Sequence, residues 1–198
     1  MNKSKLDICN MALAILGQVD MSSLTEENQR ARLCSQYYDI VRQQLLRAHD
    51  WSFAKATAKL SLIRQETNKG VMEFVYSKPA NSLFIAKIYN EGQMEKAGHF
   101  RLEYDNVKKE EVIRSQVEDA MCEYTRDIEE TSLYDSQFVE AFSAALAAKM
   151  AMSLTGSTQL YQMAVQTYQY ALDNARYTNK VERLETAVFD NPYLTARE

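Results

Sequence analysis

Few side chains in this chain could bear chemistry: two histidines, three cysteines and a scatter of carboxylates. His49 closes a long helical pattern, where an imidazolium would suit the helix dipole. To act as a general base it would need a nucleophile or carboxylate within reach. Asp50 adjoins it in sequence, but consecutive side chains on a helix point apart, so His49 reads as structural. His99 begins a strand beside Gly98 and reads as exposed. Glu26-Glu27, Glu110-Glu111 and Glu129-Glu130 are contiguous pairs at element boundaries, as solvated charge is, whereas catalytic carboxylates are buried and apart in sequence. Strand alternation would split a metal cluster at Glu118, Asp119 and Glu123 across two faces. Cys9, Cys34 and Cys122 are far apart and no CxxC or HxxxH spacing exists. They read as small buried hydrophobes in a reducing compartment, with no zinc site and with synthesis in the cytoplasm. No GxxxxGK[ST], GxGxxG or GxSxG occurs. The expectation is a chain that is not an enzyme and has no cofactor.

The elements that would position these residues are mainly helical. Ser4 with Asp7 resembles a capping box, and Cys9, Ala12, Leu13 and Leu16 form a stripe ending at Gly17. Thr25 is a candidate N-cap. From there Ala31, Cys34, Tyr38, Val41, Leu45 and Ala48 recur at steps of three and four, the pattern of a long helix. Its outward face carries Arg30, Arg32, Gln36, Arg42, Gln43 and Arg47. After Trp51 the period becomes two, with Ala54, Ala56, Ala58, Leu60 and Leu62 on one face. Short strand patterns follow as far as Arg126. Phe138, Phe142, Ala145, Ala148 (or Lys149) and Met152 then mark a third helix, with Ala141, Ala144, Ala147 and Ala151 beside them. Gly156 suits a left-handed C-terminal residue and Ser157 a cap. A fourth helix repeats Tyr161, Ala164, Tyr168, Ala171 and Ala175.

Two helix pairs, each too short to hide its own stripe, predict a mainly α, α+β fold. It would be an antiparallel four-helix bundle with a small antiparallel β-module between helices 2 and 3, plus an extended C-terminal tail. The boundaries read as 1–51 for helices 1 and 2, 52–130 for the β-module, 131–179 for helices 3 and 4, and 180–198 for the tail. Trp51 and Phe53 read as an aromatic plug at the helix-to-strand junction.

Composition narrows the function. A net charge of −4 argues against a chain whose main task is gripping nucleic acid, which requires a basic stripe. No apolar run approaches the roughly 20 residues of a membrane span, and the amphipathic Leu6–Leu16 stretch, with Asp7 and Asn10, argues against a signal peptide. Twelve tyrosines are many for 198 residues. Tyr161, Tyr168, Tyr170 and Tyr177 span more than one helical face, and tyrosine suits interfaces because it buries area while its hydroxyl stays wet. These four are the candidate subunit-interface residues.

The order helix–helix–β–helix–helix–tail, together with particular segments, resembles the head-to-tail adaptors of tailed bacteriophages, most nearly the tail tubular protein A group of short-tailed phages. The segments are Ile8-Cys9-Asn10-Met11-Ala12-Leu13-Ala14-Ile15-Leu16-Gly17, Ser22-Ser23-Leu24, and Leu45-Leu46-Arg47-Ala48-His49-Asp50-Trp51-Ser52-Phe53-Ala54. Later come Glu123-Tyr124-Thr125-Arg126-Asp127, Tyr134-Asp135-Ser136-Gln137-Phe138-Val139-Glu140-Ala141 and Leu154-Thr155-Gly156-Ser157. The likeness covers most of residues 5–180 and rests on order and spacing.

That resemblance implies a non-enzymatic virion protein of the neck or tail, made in the host bacterial cytoplasm. Such a protein sits, usually as a dodecamer, beneath the portal vertex. Its partners would be further copies of itself, the portal protein and the downstream tail nozzle protein, with no membrane. Double-stranded DNA would pass through the lumen during ejection without sequence-specific binding, and a net negative ring would let it slide. Arg183, Phe189, Pro192, Tyr193 and Leu194 are the expected portal contact, laid down as an extended strap. Two alternatives stand beside this reading: a non-viral helical scaffold or interaction protein acting as a small oligomer, and an enzyme whose site is assembled from acids of the β-module.

Overall fold

A computed structural model of the chain describes residues 3–68, 70–90, 92 and 96–188, with the backbone alone at 68 and 179–188. Two compact units result: a helical unit formed by Met1–Phe53 with Ile128–Glu198, and a β unit, Ala54–Asp127.

In the helical unit α1 spans Lys5–Ile15 and α2 spans Gln29–Ala48. Ser4 Oγ accepts from the Asp7 N–H at 3.1 Å while the Asp7 carboxylate accepts from the Ser4 N–H at 2.8 Å, so the capping box closes. The N-cap of α2 is Asn28, whose Oδ1 accepts from the Ala31 N–H, and not Thr25. Glu26 accepts instead from the Ser22 and Ser23 amides and closes the preceding loop. α3 runs Ser136–Thr155, capped by Asp135, and α4 runs Thr158–Val188, past the point where the sequence pattern places the helix end. Gly156 ends α3 with φ +63°, the left-handed geometry that favours glycine.

The four helices do not form the expected antiparallel four-helix bundle. α3 is central: α1, α2 and α4 each pack closely on it, whereas α1 and α2 meet mainly through side chains, Lys5 with Tyr38 and Asp39 among them, and α2 and α4 do not pair along their lengths. Phe138, Ala141, Phe142, Ala144, Ala147 and Ala151 of α3 are all fully buried. A helix apolar on several sides belongs at the centre, and its alanines let three neighbours approach. Amphipathic stripes on α1, α2 and α4 say which face is hidden but not which helix hides it. α3 is also long and apolar enough to meet a membrane-span criterion of length and composition; here its apolar surface is turned against three helices.

The β unit is larger than a small module. Seven strands among the described residues form two antiparallel sheets. The first orders β1 (Lys55–Lys59), β7 (Ala120–Arg126) and β4 (Ser82–Asn90). The second orders β2 (Leu62–Asn68), β3 (Val71–Ser77), β6 (Glu110–Ser115) and β5 (Phe100–Asp105). Phe74, Tyr76, Ile85, Ile88, Ile113 and Cys122 share one core drawn from both sheets. The single strand expected from Ala54 to Leu62 breaks in the middle. The Leu60 N–H still bonds to Ala120 of the first sheet, while Ser61 offers its carbonyl to the Ser77 N–H of the second. Leu62, expected on the buried face, is 49% exposed.

Candidate interaction surfaces

α4 positions the four tyrosines. Ala164, Ala171 and Ala175 face α3 and are buried, as the 3.6-residue period requires for positions 164, 171 and 175. Tyr161 and Tyr168 fall on one flank of that line. With Val41 and Leu45 of α2 and Ala145 and Ala148 of α3 they line a groove of about 290 Å³. The groove exists because α2 and α4 lie on either side of α3 without closing over it. Burial in this setting raises the Tyr168 phenol above its ordinary value. Tyr170 and Tyr177 lie about half a turn away. With Met163 they make a row at seven-residue steps, exposed by 43%, 67% and 72% from Met163 to Tyr177. The four tyrosines therefore fall on two surfaces and not one.

Of the expected portal contacts, Arg183 lies on the backbone of α4, its side chain outside the described residues. Phe189, Pro192, Tyr193 and Leu194 also lie outside them.

The candidate chemical groups are dispersed. The His49 ring stands edge-on to Trp51, with centroids 4.9 Å apart. Trp51 is buried, donates Nε1–H to the Leu45 carbonyl at 2.9 Å and meets the Phe138 ring edge-on at 5.0 Å. It thus plugs the helical unit. His99 is exposed, and Asp119 occupies a turn with φ +48°. Among the described residues no group of three or more His, Cys, Asp and Glu side chains is placed to hold a metal ion.

Three arrangements escape the sequence pattern. Arg42, expected on the outward face of α2, is 2% exposed. Its Nη1–H donates to the Ile128 carbonyl at 2.8 Å and its Nε–H to Asp39 at 3.3 Å. Only the tertiary course of the segment after Asp127 puts a carbonyl there. Cys9 and Cys34, remote in sequence, meet between α1 and α2, where Cys34 Sγ–H donates to Met150 Sδ at 3.6 Å. Both cysteines were on apolar stripes; nothing local pairs them.

The third arrangement lies on the four-stranded sheet. Arg101 forks across both oxygens of Glu73 at 2.8 and 2.7 Å. Arg114 bridges Glu66 and Glu103, and Arg64 reaches Glu66 and Asp105. The register sets Arg64 and Arg114 on either side of the buried Val75. Each guanidinium is thus already engaged by carboxylates. This face carries more acid than base among the residues named, unlike a phosphate-gripping surface.

No known protein-family model matches this chain, and no curated protein is significantly similar to it.

Proposed function

We propose that this chain is a structural virion protein: one subunit of a ring of about twelve copies that joins the portal vertex of a tailed phage to its tail and continues the DNA channel. The observation that carries the reading is the placement of aromatic side chains on two flanks of α4. A subunit of a closed ring meets a different surface of its neighbour on each side, so it needs two unlike sticky faces. Met163, Tyr170 and Tyr177 supply one; the groove bordered by Tyr161 and Tyr168 supplies the other. The sequence likeness to head-to-tail adaptors points the same way.

In this reading affinity comes from avidity: each subunit holds the portal weakly, and the ring multiplies the contacts. Arg183, Phe189, Pro192, Tyr193 and Leu194 are the portal contact, and the tail nozzle docks on the far side. DNA slides through an acidic lumen. Arg42 is buried and takes no part in lining it.

The test is the mass of the purified chain by light scattering, alone and mixed with the portal ring of the same genome. The expected result is a gain of about twelve subunits on the portal, or a free ring of that size. A stable dimer indifferent to the portal would overturn the proposal in favour of a small-oligomer scaffold. A chain lacking 189–198 is expected to keep its helical circular dichroism and to bind the portal more weakly.

A further inference from the structure

We infer that the Met163–Tyr170–Tyr177 row of one copy seats in the α2–α3–α4 groove of the next copy, so that a single helix, α4, serves both sides of a head-to-tail contact. This inference rests on the ring reading above and specifies its interface.

Three features fit the row to the groove. The first is length. Along α4 the groove runs from Tyr161 to Gln169, which at 1.5 Å per residue is about 12 Å. One step of the row, Met163 to Tyr170 or Tyr170 to Tyr177, is about 10.5 Å on the same scale. The groove is therefore long enough for two successive side chains of the row.

The second is shape. The groove floor is Ala145 and Ala148 of α3. Small side chains there admit large ones from outside, in the manner of a helix laid in a groove. The exposed tyrosines supply the large ones.

The third is charge. Lys149 lies at the groove and is exposed. Asp173 stands between Tyr170 and Tyr177 in sequence, with its side chain 73% exposed and a surface pair to Arg176 at 3.5 Å. Seating the row brings the acid to the base. A two-fold pairing of row against row would instead leave the groove and Lys149 unused.

Cysteine trapping tests this. Gln44, also at the groove, is exposed, so Gln44→Cys and Tyr170→Cys are purified separately, checked by circular dichroism, mixed with the portal ring and oxidised with diamide. A disulfide-linked doublet in the mixture, absent from either variant alone, is the expected result. Tyr170→Cys cross-linking to itself would show a two-fold contact and overturn the inference. A ring of full mass without the mixed doublet would overturn the inference and leave the adaptor reading standing. A wild-type chain that never assembles overturns both. As a second measurement, Lys149→Glu and Asp173→Lys are each expected to raise the half-assembly concentration about three- to tenfold, and the two together to restore it. Singles without effect would count against the contact.

Discussion

The guanidinium of Arg42, in the second half of α2, donates from Nη1 to the carbonyl of Ile128 at 2.8 Å, tying the helix to the segment that follows Asp127. The side chain is 2% exposed, so truncation would empty a buried site and strip the carbonyl of its charged donor, leaving it the Tyr134 hydroxyl at 2.8 Å. Arg42→Ala is expected to lower the unfolding free energy by about 2–3 kcal/mol, read from urea midpoints at constant m. Arg47→Ala, on an exposed position of the same helix, should change it by less than about 0.5 kcal/mol.

Gly156 turns the chain from α3 into α4 with φ +63°, and a Cβ there would meet nothing within 4 Å. The cost of Gly156→Ala is therefore conformational and not steric. A loss of about 1 kcal/mol is expected. Gly156→Asn should lose less, because asparagine tolerates the left-handed region.

Asp105 accepts from the Lys108 and Val107 amides and pairs with Arg64. These contacts, the Lys108 amide foremost, hold its carboxyl down at about 2, against an ordinary value of 3.8. Arg114 and then Arg64 likewise lower Glu66. A carboxyl depressed in the folded state contributes stability that is complete above its unfolded value and disappears as pH falls through the folded one. Urea midpoints should therefore hold down to about pH 4 and fall between about pH 4 and pH 2. Asp105→Asn should start lower at pH 7 and show a shallower fall over that window.

All three cysteines are fully buried. Burial pushes the Cys122 thiol up to about 11, and the Cys34 contact, followed by burial, raises Cys9. Since the thiolate is the reactive form, Ellman's reagent at pH 8 should find the native thiols slower by on the order of a hundredfold or more than in guanidinium, with modification limited by opening of the fold. Rapid labelling of one thiol without denaturant would contradict this burial.

Much of the helical unit is legible locally. The Ser4–Asp7 box, the Gly156 turn and the three- and four-residue steps of α2 are short-range patterns, and the structure contains each. What escapes is whatever depends on partners distant in sequence. The alanines of α3 read as one more packing face, but burial round Ala141, Ala144, Ala147 and Ala151 makes it the hub. β2 is hidden from pattern reading because Arg64 and Glu66 alternate polar with polar, the cost of covering that face being met by ion pairs to β5 and β6. Leu60 and Leu62 keep the period through a point where the chain changes sheets. Of the candidate site, the tyrosines were visible as surplus aromatic surface. Their division into two flanks follows from the helical angle between 161 and 170 once the α3-facing line at 164, 171 and 175 is fixed.

The position of the hub along the chain bears on synthesis. α1 and α2 emerge first, yet the helix on which both pack begins only at Ser136, about 90 residues beyond Ala48. At roughly 5–20 residues per second, a ribosome leaves these two amphipathic helices without their partner for about 5–20 seconds. During that interval their apolar stripes are open to chaperones and to neighbouring nascent chains. Closure of the helical unit is thus a long-range, late event, and the lag between the synthesis of α1 and α2 and the completion of their core is set by where α3 is encoded.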